Sequence, residues 1–372
     1  MNIDKFFFLG NLFFRKLFSY IPVGPLFIND LYLLINGLFF SKLRKVSFLF
    51  FIILSAYILA AYQIFSSVTT YGFNFSDMKY LLVMLYMVFS IRDIRIDNYF
   101  LIRCAYAFIF LEILILLIWG RMALDLKFSF IDGSSMYPNN TYFHSAFTLF
   151  FLINFINNRQ LVNLLFFLAS ISLLVLEGQR GAYVDLLGAS IVYLILIRTW
   201  NILLISFLSI SFFIAIAIFV NTDFSIWLQS FIPFSEGSSI AEYNSTNTRF
   251  EMWLNLLSLF YESADLKTLM FGFGLTTTFF TESFNLHNGY LQIFANYGLI
   301  GITIFTLFIA YIFHCTVSIL RRKNDSDLLC VFIFLSFIFD ALTQTSFDSP
   351  FSLTLFYIVC GLIVTKKNNY SS

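Results

Sequence analysis

Long apolar stretches recur along this chain, separated by short segments that carry most of its Lys and Arg, and this alternation limits the fold more than any motif does. A helix needs about 20 mostly apolar residues to cross a bilayer, because every backbone N–H and C=O must be satisfied within the segment. On that rule candidate spans lie at 21–40, 46–66, 77–91, 98–119, 141–157, 161–177, 182–197, 201–220, 299–320, 328–346 and 351–365. The fold class expected is an all-α polytopic membrane protein, with about 11 transmembrane helices in a range of about 10–12. Residues 1–372 form one integral-membrane domain, because neither a repeat at fixed period nor a separate soluble stretch interrupts the pattern. With 59% hydrophobic and only 12% charged residues, a soluble chain could not hide its apolar surface. A formal net charge of +1 without a basic patch excludes nucleic acid as a partner.

Lys and Arg collect in short cytoplasmic loops. If the spans alternate, Lys42, Arg44 and Lys45, then Arg92 and Arg95, Arg159, Arg198, Arg321 to Lys323, and Lys366 with Lys367 all fall on one side, the cytoplasm. The N-terminus stays open, since residues 3–20 suit either a further short span or an interfacial helix. The opposite side holds residues 120–140, the turn Gly178-Gln179-Arg180-Gly181 and one large loop over 221–287 with short helices of its own. Loops of that length are usually functional. The cysteines Cys104, Cys315, Cys330 and Cys360 lie in apolar runs without a CxxC pair, so neither a metal site nor a disulfide framework is expected.

Three stretches on that side are candidates for chemistry. The glycines around Arg180 allow a sharp reversal and hold the guanidinium at the membrane surface, where it either snorkels to headgroups or meets an anion. The segment from Asn247 to Trp253 starts a helix, with Thr248 and Glu251 at capping-box spacing. Apolar Phe250, Trp253, Leu254 and Leu257 give it one face for the membrane or the bundle, and Arg249 in its first turn becomes useful beside an anion such as a diphosphate. Residues 285–301 form a short helix stopping at Gly298 before a full span, with His287 near the water boundary, where an imidazole either exchanges protons or serves the structure alone. His144, at the start of a span, and His314 are weaker candidates. Asp30, Glu112, Asp185 and Asp340 lie within spans and must face the bundle interior or an interface. Asp185 is about a turn beyond Arg180 and either orients it or serves a structural ion pair.

Over roughly residues 135–310 these elements, in this order, resemble the O-antigen ligase and O-antigen polymerase superfamily of bacterial membrane glycosyltransferases. The elements are Pro138-Asn139-Asn140, Gln179-Arg180-Gly181, Arg249 with Trp253, Phe271-Gly272-Phe273-Gly274, His287-Asn288-Gly289-Tyr290, and Asn296 to Gly301. The resemblance implies an all-helical, multi-pass protein of the bacterial inner membrane, its active site facing the periplasm. Its substrate would be an oligosaccharide on undecaprenyl diphosphate, with no cofactor and no metal. Arg180 and Arg249 would bind the donor diphosphate and His287 would act as the catalytic base, supported by Asn288, Tyr290, Asp185 and Trp253. Bidentate guanidinium groups suit a leaving diphosphate, and a hydroxyl nucleophile gains from a neighbouring base. Gln179 departs from the small residue usual before the turn arginine.

The leading expectation is an oligosaccharide repeat-unit polymerase, O-antigen or capsular, moving a glycan from undecaprenyl diphosphate to a lipid-linked acceptor unit. Its partners would be membrane lipids, a chain-length regulator and a flippase. The short, Phe-rich chain outside the shared motifs favours it over the ligase, which passes the glycan to lipid A-core or protein. A flippase of lipid-linked oligosaccharides is the third reading, and it fits less well because such transporters place charges near the bilayer midplane.

Overall fold

A computed structural model of the protein describes residues 3–13, 22–23, 26–27, 96–119, 129–131, 134–135, 141–177, 180–197, 252–262, 266–273, 288–322, 327–343 and 350–369, with Asn29, Tyr32, Ile58 and Ile94. The described elements are overwhelmingly helical: α1 (Ile3–Phe13), α2 (Asn98–Trp119), α3 (Thr141–Asn158), α4 (Leu161–Glu177), α5 (Arg180–Ile197), α6 (252–262), α7 (Leu266–Phe271), α8 (Gly289–Leu320), α9 (Leu328–Thr343) and α10 (Pro350–Asn369). Seven of these, α2 to α5 and α8 to α10, coincide with spans expected from hydropathy. Asn98–Ile118 and Gly289–Leu320 are long and apolar enough to cross a membrane, and Leu161–Leu174, Gly181–Ile197 and Leu328–Leu342 are shorter apolar helices. Apart from Ile58, the spans expected at 46–66, 77–91 and 201–220 lie outside the described residues, as does most of the large loop.

Two minimal antiparallel ladders accompany the helices, Pro22–Val23 on Leu26–Phe27 and Ser129–Ile131 on Ser134–Ser135. The first corrects the span expected from residue 21. Pro22, Gly24 and Pro25 cannot sustain a helix, since proline lacks the N–H and glycine costs about 1 kcal/mol, and the chain reverses there instead.

The bundle is built as a bilayer demands. Apolar side chains of α2 (Phe110, Leu117, Ile118), α4 (Leu161, Val162, Leu165) and α5 (Ile191, Ile195) face outward. The ionisable groups Glu112, His144, Asp185 and Asp340 are buried inside, which is where such groups belong in lipid. The core between α3, α5 and α9 is aromatic: Tyr142 meets Phe337 edge-on at 5.1 Å, Tyr193 meets Phe332 at 4.9 Å, and Phe337 stacks on Phe356 of α10 at 4.3 Å. Gly188 lets α5 approach α9 closely, because a Cβ there would stand 2.4 Å from the Phe339 ring.

One end of the bundle is fixed by charge. Lys366 at the end of α10 donates to Asp327 before α9 and to Asn98 at the start of α2, and Asn98 Nδ2 donates to Asp327 Oδ1 at 2.9 Å. Helix α1 begins at this same end, where Lys5 pairs with Asp97. The Lys5 ammonium, followed by the Phe100 amide, holds the Asp97 carboxyl below its ordinary range. The N-terminal segment is therefore a short helix packed beside α2 through Phe8 and Phe13, with Phe7, Phe8 and Leu12 buried. At the opposite end α3, α5, α8 and α10 begin and α2, α4 and α9 finish.

Candidate functional site

At the opposite end the C-terminal half of α9 holds the first turn of α8. Asn288 caps α8, its side chain accepting from the Leu291 amide at 3.0 Å. Its Nδ2 also donates to the Leu342 carbonyl at 3.1 Å, one of the last carbonyls of α9, which helix geometry leaves without a partner. Two residues on, the Tyr290 hydroxyl donates to the Ile338 carbonyl at 2.9 Å. Each residue thus ties the first turn of α8 to the last two turns of α9. The start of α3 is tied to the start of α5 by Ser145 Oγ, which donates to the Ala182 carbonyl at 2.8 Å. Arg180 is the first residue of α5, so that helix's free N–H groups open at the same place as its own backbone.

A second, smaller core lies beside this end. Leu256 and Phe260 of α6 and Ala295 of α8 are buried together, with Met252, Trp253, Leu269, Phe273, Leu291 and Phe294 around them. Phe260 stacks on Phe294 at 4.5 Å. The buried face of α6 is thus that of Leu256 and Phe260, with Trp253 half-buried at its edge. Leu254 and Leu257, expected on one face with Trp253 for the membrane or the bundle, are about half exposed.

The cap is locked by two glycines. Gly298 breaks α8 at φ 64°, ψ −160°, and Gly272 ends α7 at φ 79°. Their backbones lie against each other: a Cβ on Gly272 would be 2.5 Å from the Asn296 carbonyl carbon, and one on Gly298 would be 2.5 Å from the Gly272 nitrogen. The Phe273 amide donates to the Ala295 carbonyl at 2.8 Å. The short helix ending at Gly298 is as the sequence suggests, and the Phe271 to Phe273 element turns out to be its docking partner.

Of the site residues expected from sequence, Asn288, Tyr290, Trp253, Asp185 and the backbone of Arg180 are described. His287 and Arg249 lie outside the described residues, as do Gln179, Pro138 to Asn140, Thr248 and Glu251. His287 immediately precedes the Asn288 cap, and Arg249 lies three residues before the described part of α6. Asp185 is fully buried, and neither carboxylate oxygen has a hydrogen-bond partner among the described residues. It faces Asp340 of α9, which acts on it electrostatically. His144 Nε2 and Glu112 Oε2 lie buried 2.7 Å apart between α3 and α2, with the Phe108 ring edge-on to the imidazole at 5.7 Å. Charge within a span flags Glu112 and Asp340 in the sequence, whereas their partners depend on helix packing.

Residues 165–306 match a family model described as O-antigen ligase. No curated protein gives a significant match. The matched stretch runs from α4 through Arg180, Trp253 and the glycine lock to the first half of α8. It stops short of α9, which holds the motif-bearing turns in place.

Proposed function

We propose, from the match of residues 165–306 to the family described as O-antigen ligase, that the chain is a metal-independent membrane glycosyltransferase. In this reading it polymerises oligosaccharide repeat units carried on undecaprenyl diphosphate. The observation that carries the proposal is the convergence on one end of α9 of elements distant in sequence: the Asn288 to Tyr290 turn directly, and the Arg180 turn through α5. The site faces the periplasm across the bacterial inner membrane, since the basic loops collect at the other end. In this reading the loop expected over residues 221–287 lies on the same side.

The chemistry assigned to the chain is simple. The acceptor hydroxyl oxygen attacks the anomeric carbon of the donor sugar, and the bond from that carbon to the diphosphate oxygen breaks, its electron pair leaving with the diphosphate. His287 takes the hydroxyl proton. Arg180 and Arg249 neutralise charge as it builds on the leaving group, helped by the free N–H groups of α5. Asn288 and Tyr290 act indirectly, fixing the backbone next to His287.

The ligase reading, transfer to lipid A-core or protein, stands beside this because the matching family is itself described as O-antigen ligase. The two separate on deletion of the gene. Loss of a polymerase leaves surface glycan of a single repeat unit. Loss of a ligase leaves bare lipid A-core while polymer accumulates on the lipid carrier. Normal glycan length in a clean deletion refutes both.

A further inference from the structure

The first turn of α3 is a junction. Consecutive residues there reach four different helices, as a turn of 3.6 residues allows by pointing side chains all round the axis. Tyr142 meets Phe337 of α9 edge-on at 5.1 Å, and Phe143 meets Phe8 of α1 at 5.9 Å. His144 Nε2 lies 2.7 Å from Glu112 Oε2 of α2, and Ser145 Oγ donates to the Ala182 carbonyl of α5 at 2.8 Å. Ala182 is two residues beyond Arg180, within the first turn of α5. The placement of that turn is therefore coupled to the junction.

The contact with α2 differs from its neighbours in cost. The side chains of Glu112 and His144 are 1% and 2% exposed, inside helices that coincide with expected membrane spans. Lipid tolerates a carboxylate and an imidazole there when polar partners satisfy them. A carboxylate offers lone pairs, and an imidazole nitrogen offers a lone pair or an N–H, so at 2.7 Å the two atoms attract when one proton lies between them. Packing alone does not ask for this. Phe108, one turn before Glu112, already closes α2 on α3, edge-on to the imidazole at 5.7 Å and 5.4 Å from the Phe147 ring. Apolar residues of similar size often match or exceed the stability given by a buried polar pair. What the pair adds is direction, because a hydrogen bond fixes an angle and a separation that aliphatic contact leaves loose.

We infer that Glu112 and His144 are positioning residues for the donor site. The proton-bridged pair orients the first turn of α3, and Ser145 carries that orientation to the Ala182 carbonyl and so to the start of α5. Arg180 and the free N–H groups of that start are the ones assigned above to the donor diphosphate, so the pair has a part in the reaction only if that assignment holds. Both residues act through α3 and neither takes part in making or breaking a bond.

The test uses the full chain in lipid nanodiscs, with undecaprenyl diphosphate as the binding probe and thermal unfolding read beside it. Glu112→Leu combined with His144→Leu removes both polar groups together, so the bundle should keep its Tm. Its affinity for the probe should nonetheless fall roughly 10- to 100-fold, the worth of one charge-assisted hydrogen bond to the diphosphate. Glu112→Gln keeps a hydrogen bond to the imidazole and should bind the probe far better than Glu112→Leu. A pair that served packing alone would move Tm and leave the affinity of the folded protein as it was. Ser145→Ala, too small a change to unfold the bundle, cuts the other link of the chain and should also weaken binding, so misfolding of the double variant does not spare the inference. Wild-type affinity in Ser145→Ala, or in the folded double variant, overturns it. Arg180→Lys tells two failures apart. If it weakens binding while those variants do not, only the role of Glu112 and His144 is lost. If Arg180→Lys binds the probe as the wild-type protein does, the assignment of Arg180 fails and takes that role with it.

Discussion

The glycine lock makes a prediction whose size can be worked from geometry. Replacing Gly298 with Ala puts a side chain where φ is 64° and ψ is −160°, a region that only glycine enters freely and that costs other residues about 1–3 kcal/mol. The new Cβ would also stand 2.5 Å from the Gly272 nitrogen and the Met270 carbonyl carbon, both backbone atoms that no rotamer change can move. Relieving that overlap costs about another 1–3 kcal/mol, so the cap should loosen by about 2–6 kcal/mol. Gly272→Ala meets the same contact from the other side and should behave alike. Displacing α7 relieves both overlaps at once, so the double variant should cost less than the two single costs together, with a coupling of about 0.5–3 kcal/mol. The assay is amide hydrogen exchange of the protein in nanodiscs, reading the Phe273 amide that bonds to Ala295. At about 1.4 kcal/mol per factor of ten, even the lower bound accelerates its exchange roughly 30-fold, while amides in α9 keep their protection. Wild-type protection at Phe273 in Gly298→Ala, or strict additivity in the double variant, would refute the interlocked arrangement.

Further tests bear on chemistry and topology. Arg180→Lys and Arg249→Lys keep the charge but lose the planar fork that binds two phosphate oxygens, so each should weaken donor binding in protein that inserts normally, with added chelator making no difference. His287→Ala should leave donor binding intact and slow transfer by about 10²–10⁴-fold; transfer at the wild-type rate would reduce His287 to the residue before a helix cap. Cysteine labelling should reach positions in 252–262 from outside the cell and positions 321–323 from inside, and labelling of the first set from the cytoplasm would remove the site from any donor delivered to the outer leaflet.

How much of this was legible beforehand depends on the range of the physics involved. Spans declare themselves through local composition, so seven of the described helices fall where hydropathy puts them. The break at Gly298 was equally local, a glycine ending a short polar-aromatic helix. The hairpin at Pro22 to Phe27 was missed because an average over about 20 residues lets the apolar count outweigh two prolines and a glycine that act on single bonds. Pairings were not legible at all. Asp185 looks in sequence like a neighbour of Arg180, a turn away on one helix, and nothing there announces that Asp340, 155 positions later, also acts on it. Glu112 and His144 show the same limit, since which face of α2 meets which face of α3 is set by the packing of Phe108 and Phe147 around them.

These pairings bear on how the site is built. The family match ends at residue 306, but the carbonyls that receive Asn288 and Tyr290 belong to Leu342 and Ile338, and the carboxylate opposite Asp185 belongs to α9 as well. The groups assigned to the reaction therefore sit in the matched stretch, while those that fix their positions come largely from outside it. Backbone carbonyls make undemanding supports: any residue at 338 or 342 offers the same oxygen, provided the helix keeps its course. That course is held by Phe337 and Phe339, packed on Tyr142, Phe356 and the open face of Gly188. A change such as Phe337→Ala, at a residue with no assigned part in the reaction, should consequently act on transfer through the placement of Asn288 and Tyr290. The loss of a buried aromatic typically costs 3–5 kcal/mol, and here part of that cost should appear as a slower reaction with donor binding at Arg180 retained. If Phe337→Ala lowered stability alone and left the turnover of the folded fraction unchanged, α9 would be a passive wall and not the support of the site.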